Sequence, residues 1–314
     1  MAVSVSRLEN RIGRKIAGEL QGQVRQEVLS KLVDDALLRE LVAAMDRKED
    51  RARLLSLAAP HSSDWLRVTP AYGAFEVVMT PDEMQVALQL RLGLAVAPAD
   101  AHCPSCARSP RLDPGGHHAL TCSKGGDVVT RHNKLRNTVR SLCARAQMSA
   151  KLEQGASGSD LQRPADVLVQ AWSLGSAAAF DITVVSPFTV NNMNEAGDLG
   201  GVDGVVARAE AKKLAANGPK CRELGWRCIP LAVDTFGCWG RRASQAFEKL
   251  SGPLATQLHV SRGEALRCIY SSLGCILSRQ NARAVLSRRV VPSVLSVGAR
   301  EVRQAAPERW HDAL

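Results

Sequence analysis

Apolar residues recur at spacings of three and four through 5–56, where "DDALLRELVAAMDRKEDRARLL" keeps its charges on the other face. That pattern predicts amphipathic helix. The Ala-Pro-His-Ser-Ser of 59–63 breaks it. A second helix is predicted over 81–92, "PDEMQVALQLRL", with Pro81 in the first turn and Asp82 and Glu83 beside it. Periodicity then lapses through 95–126, a stretch rich in Pro, Gly, Cys and His that reads as a small metal-stapled insert. Helix resumes over 130–147 with a basic face from Arg131, Lys134, Arg136 and Arg140. Three short β-like pieces follow, "AKLEQ" near 150, "ADVLVQAW" at 165–172 and "AAAFDITVVS" at 177–186. After a polar loop come a helix at about 205–216, the apolar strand "WRCIPLAVDT" at 226–235, and helices at 241–257 and 263–289. This order predicts an α/β fold for 130–290, with a loosely ordered tail beyond Pro292.

Two strands break the usual rule that charge is left to loops. In "QRPADVLVQAWSLGSAAAFDITVVSP" (162–187) each apolar run carries one carboxylate, Asp166 and Asp181, with fourteen residues between them and a turn at "SLGS". A lone aspartate of this kind usually caps a turn or sits at a strand edge. Two on one hairpin have another use. A divalent cation that holds a phosphate oxygen and activates water needs converging oxygen ligands. Nuclease cores of the restriction-enzyme type place an Asp on one strand and an Asp or Glu on the next, with a lysine nearby. Two residues after Asp181, where that lysine is expected, stands Thr183. The following helix offers Lys212 and Lys213 instead. Glu153, in the preceding strand, is the natural third carboxylate; Glu210 is a weaker alternative.

The insert carries a second chemistry. "CPSCARSPRLDPGGHHALTC" brings Cys103 and Cys106 into a tight C-x2-C turn, followed by His117 or His118 and then Cys122. Three thiolates and an imidazole suit a tetrahedral Zn2+ ion. His118 is favoured because His-Ala-Leu-x-Cys can start a helix with both ligands on adjoining turns, although His117 stays open. With four protein ligands the site is structural. The other six of nine cysteines scatter through apolar text, which predicts reduced thiols and an intracellular setting rather than a disulfide framework.

Charge narrows the partners. The net charge is +10, which suits a polyanion, nucleic acid ahead of anionic membrane. No apolar run approaches the roughly 20 residues that span a bilayer. The first 20 residues lack the apolar stretch of a secretory signal.

Taken together, "CPSC…GGHHALTCSKGGDVVTRHN", "RPADV", "FDITVVSP" and "PKCRELGWRCIPLAVDTFGCWG" resemble the C-terminal region of non-LTR retrotransposon polyproteins, over roughly 50–290. The resemblance implies a PD-(D/E)XK restriction-endonuclease-like core with a small zinc knuckle and an N-terminal helical region. The implied divisions are 1–95 helical, 96–126 knuckle, 127–290 endonuclease and 291–314 tail. It implies an Mg2+-dependent DNA endonuclease that nicks target DNA to prime reverse transcription, working in the nucleus on DNA or on element RNA. A reverse transcriptase would act in cis or in trans. Asp166 and Asp181 match the metal-binding carboxylates, Lys213 the lysine displaced onto the next helix, and Glu153 a looser acidic position. Cys103, Cys106, His118 and Cys122 match the knuckle, and Arg131 and His132, with Lys134 close by, an Arg-His-Asn element that touches DNA. The chain departs from the pattern at Ala165, which separates Pro164 from Asp166, and at Thr183. No paired-aspartate polymerase motif is present, which implies a fragment or domesticated remnant. The alternative is a zinc-containing nucleic-acid-binding protein of such origin without catalysis.

Overall fold

A computed structural model describes residues 26–67, 78–98, 100–154, 164–173, 175–189, 192–193 and 201–289. The helical expectation for 5–25 and the tail beyond Pro292 lie outside them. Two compact units emerge, Met1–Val78 with Arg131–Ser278, and Met79–Thr130 with Arg279–Leu314.

The first unit contains α1 (Gln26–Ala44) and α2 (Lys48–Ala58), the latter ending where Pro60 follows. Most of α5 (Asp127–Arg145) belongs to it and leads into a four-stranded sheet. The strands are β1 (Ala150–Gln154), β2 (Ala165–Ser173), β3 (Ser176–Val185) and β4 (Trp226–Asp234), in spatial order β1-β2-β3-β4. The first three form an antiparallel meander. β4 lies parallel to β3 and is reached through α6 (Gly201–Glu223), a connection that a parallel pair requires. Helices α7 (Arg241–Leu258) and α8 (Arg262–Leu286) complete the order. The architecture is mixed α/β, as the pattern predicts.

Strand alternation divides the sheet into two faces. Val167, Val169, Phe180, Ile182, Leu231 and Val233 enter the main core, where α5, α7 and α8 add Leu135, Val139, Phe247, Leu250, Ile269 and Leu273. Trp172 and Phe180 meet edge to face at 5.0 Å. The intervening residues point the other way. There Ala179 and Leu168 pack with Cys221 of α6, and Ala232 packs with Val206. Asp181 and Thr183 share the α6 face, so a polar site is built there without breaching the main core.

The second unit holds α3 (Pro81–Leu92), the Cys- and His-bearing insert with its short helix α4 (His117–Thr121), and the last turns of α8. A full capping box fixes the start of α3: Thr80 Oγ1 accepts from Glu83 N–H, and Glu83 accepts from Thr80 N–H. The same Glu83 carboxylate receives Arg279 at 3.1 Å and Arg283 at 2.5 Å, which binds α3 to the end of α8. Among the described residues no helix is long and apolar enough to cross a membrane.

Candidate functional site

The hairpin register brings the two aspartates together. Val167 stands opposite Phe180 and Leu168 opposite Ala179. One residue further along that antiparallel register, Asp166 comes alongside Asp181. Asp166 Oδ2 accepts the Ile182 N–H at 2.7 Å, which takes the place of a backbone ladder bond at the hairpin's open end. Its other oxygen lies 3.3 Å from His132 Nε2 on α5. Asp181 Oδ1 accepts from Lys213 Nζ at 2.7 Å, and its Oδ2 accepts from Asn217 Nδ2 at 2.6 Å. Lys213 and Asn217 are one turn apart on α6, so a single helix face delivers both. Of the two lysines left open by the sequence, Lys213 is the one that reaches the carboxylates.

These contacts pull the two acids apart. Burial pushes the Asp181 carboxyl above its ordinary value, and the neighbouring Asp166 charge adds to that, with Lys213 and Asn217 only partly offsetting them. Asp166 is also opposed by burial, yet the His132 hydrogen bond and charge, the Ile182 N–H and Lys213 outweigh it and hold its carboxyl low. A buried and a partly buried carboxylate side by side repel each other. Lys213 supplies part of the compensation for that repulsion.

Other expected residues fall elsewhere. Glu153 belongs to β1, but its side chain lies outside the described residues. Glu210 is buried, and its Oε1 accepts from Arg242 N–H at 2.9 Å and Ala243 N–H at 3.3 Å, closing the first turn of α7. Arg131 is 4% exposed, so protein encloses its guanidinium rather than presenting it to a polyanion. Lys134 is half-buried, and Arg140 is an exposed member of that basic helix face. His132 is turned to Asp166 rather than outward. Asn217 and the His132 contact were not read from the sequence. Asn217 had a signal, four residues after Lys213, whereas nothing local ties His132 to Asp166.

The second unit assembles the other site. Ligand atoms of Cys103, Cys106, His118 and Cys122 all lie within 4.8 Å of one another. Cys106 Sγ is 3.4 Å from Cys122 Sγ and 3.6 Å from His118 Nε2. Thiolates around a tetrahedral ion with bonds of about 2.3 Å stand roughly 3.8 Å apart, so the cluster could hold a metal ion such as zinc. Asp113 selects the histidine. Its two carboxylate oxygens accept the His117 and His118 N–H groups at 2.7 Å each, fixing the start of α4. His118 then faces the thiols, while His117 Nδ1 lies 3.7 Å from Asp113. Behind the cluster Arg288, fully buried, donates to Asp127 at 2.6 Å and to the Lys124 carbonyl at 2.9 Å. Burial opposes ionisation of the Cys122 thiol, but hydrogen bonds from Arg288 and near Lys124 prevail and hold it below the usual range. Cys106 goes the other way, to about 11, because Cys122 hydrogen-bonds it and burial and Cys103 add to the effect. All nine cysteines are free thiols.

No protein-family model matches the chain, and no curated protein matches it.

Proposed function

We propose that this chain is a metal-dependent DNA endonuclease with a PD-(D/E)XK-type core, related to the endonuclease region of non-LTR retrotransposon polyproteins. The observation that supports the reading most is the meeting of Asp166 and Asp181 on one hairpin with Lys213 Nζ 2.7 Å from the second carboxylate. In this reading Asp166 and Asp181 would hold Mg2+, which supplies a polarised phosphate oxygen and an activated water. Lys213 donates to the scissile phosphate as negative charge develops there, filling the role that Thr183 leaves vacant. His132 and the Ile182 N–H hold the Asp166 carboxylate in one orientation. Asn217 does the same for Asp181. Water adds to phosphorus, the P–O3′ bond breaks, and the 3′ hydroxyl leaves, ready to prime synthesis. The partner is DNA in the nucleus, with element RNA and a reverse transcriptase in cis or trans as associates. The Cys103, Cys106, His118 and Cys122 cluster, loaded with Zn2+, is structural.

The test is nicking of supercoiled plasmid by the full chain. Mg2+ should convert it to open circles, EDTA should stop the conversion, and Asp166→Ala or Asp181→Ala should slow it by about a hundredfold or more. A wild-type protein that nicks no faster than Asp181→Ala overturns the proposal.

A second reading, a zinc-containing nucleic-acid-binding protein without catalysis, is favoured by one specific observation. Both carboxylates already have protein side chains beside them, the His132 imidazole and the Lys213 ammonium, while the hairpin position expected to carry lysine is Thr183. It predicts binding that weakens with salt as phosphate contacts are lost, unchanged by Mg2+, and no cleavage.

A further inference from the structure

Beside the carboxylates, between β3 and α6, lies a cavity of about 510 Å³. Its volume falls within the range of small-ligand sites, and its lining has a definite chemistry. Arg208, Lys212 and Lys213 supply cations, Asn192 and Asn217 amides, and Val185 and Val205 an apolar part. Among the described residues no carboxylate lines it. The cations arise from helical spacing: Arg208 and Lys212 form one pair a turn apart on α6, and Lys213 and Asn217 form a second, across the lining Ala209 and Ala216. Arg208 is steadied by donating to Asn192 Oδ1 at 3.1 Å, and Lys212 is exposed. Lys213 and Asn217 line the cavity and also hold Asp181, so cavity and carboxylate site are contiguous.

We infer that this cavity takes one unpaired nucleotide of a DNA strand, its phosphate on Arg208 and Lys212 and its base against the apolar wall, next to the bond held at Asp166 and Asp181. The inference rests on the endonuclease reading and adds its substrate form, a strand that is single or locally opened. A concave site of this size admits a nucleotide but not a base-paired step. Extracting a base from intact duplex costs a few kcal/mol, whereas a frayed or single strand is spared most of that. The mixture of cation and apolar wall also distinguishes the site from a phosphate-only contact, which would bind duplex and single strand through charge alone.

The experiment measures binding of a labelled single-stranded oligodeoxynucleotide and of its duplex by anisotropy, with the full zinc-loaded chain in a buffer without added Mg2+ or Ca2+ and without chelator. Lys212→Ala removes one cation at an exposed position. Ala209→Met, at another lining residue, narrows the cavity without adding or removing charge. Each should weaken single-strand binding by roughly tenfold and duplex binding by less than about twofold. Lys212→Ala should also lower the single-strand salt slope by about 0.7, the value of one phosphate contact. Equal weakening of both forms, or of neither, overturns the inference. Plasmid and bubble substrates in Mg2+ separate its failure from that of the endonuclease reading. If nothing is cut while single-strand binding shows these losses, the catalytic reading fails and the cavity assignment stands. If wild type cuts and both variants bind and cut as it does, the assignment fails and the catalytic reading stands.

Discussion

Asp166 and Asp181 titrate in opposite directions because each answers to different neighbours: Asp166 has His132 and an N–H, while Asp181 is buried beside another charge. A third aspartate, Asp234 at the end of β4, shows what burial does without a cation. It is fully buried, and burial pushes its carboxyl up to about 6 against the N–H hydrogen bonds from Phe236 at 2.8 Å and Cys238 at 3.0 Å. A folded-state value raised above the unfolded one stabilises the fold at low pH, and that contribution is lost as pH rises through about 6. Asp234→Asn keeps the acceptor for both N–H groups and removes the ionisation. It should therefore leave the urea midpoint little changed at about pH 3, below the unfolded carboxyl's own value, and raise stability relative to wild type by roughly 2–3 kcal/mol at pH 8. Equal stability differences at both pH values would show that Asp234 does not carry this burden.

At the level of elements, α7 depends on a side chain from another helix. Its N-cap residue is Gly240, which offers no side-chain acceptor, and Glu210 of α6 takes the Arg242 and Ala243 N–H groups instead. A Cβ at position 240 would collide with the Glu210 carboxylate, so the glycine and the glutamate require each other. Glu210→Ala leaves one buried and one partly buried donor unmet and should cost about 2 kcal/mol in denaturant unfolding. Glu210→Gln, which keeps the acceptor, should cost less than about 1 kcal/mol. If Glu210 acted in catalysis, both changes would abolish nicking alike with stability intact. Such a remote cap cannot be read along the chain, because it joins positions 32 apart. Capping written locally can be: "TPDE" marks α3 through Thr80 and Glu83, and the structure starts that helix at Pro81 as the sequence predicts. The hairpin was legible for the same local reason, its alternation and its turn. The end of α6 was not. Asn217-Gly218-Pro219 reads as a stop, yet the helix continues to Glu223 with Pro219 inside it. Packing decides the matter, since Asn217 is tied to Asp181 and Cys221 is buried beneath the sheet.

Across the whole molecule, the two candidate sites differ in how far they depend on distant sequence. The carboxylate site draws on α5, β2, β3 and α6, and its polar partners were hidden by those separations. The cysteine cluster is almost entirely local, 103–122, which is why its ligands could be named from spacing. The part that spacing could not give is Arg288, more than 160 residues later, which joins Asp127 and the Lys124 carbonyl from the far end of α8. Together with the Glu83 pairs to Arg279 and Arg283, it makes the second unit a discontinuous one, closed by contacts behind the cysteine cluster and by the ion pairs of α3 with α8. Metal binding to thiolates contributes folding free energy directly, so metal and the segment 279–289 should be coupled. The purified chain should carry one zinc per molecule by elemental analysis. Removing it with a chelator at neutral pH, or by Cys122→Ser, should expose the amides of 100–127 and 279–289 to faster hydrogen exchange. The strands β2, β3 and β4 should keep their protection, because their core contains no metal ligand. Loss of protection confined to 100–127, with 279–289 unchanged, would show that Arg288 rests on the knuckle without depending on it. Arg288→Met then separates charge from packing: it should speed exchange in both segments even with zinc bound, since it removes the guanidinium that joins the partly buried Asp127 to the Lys124 carbonyl.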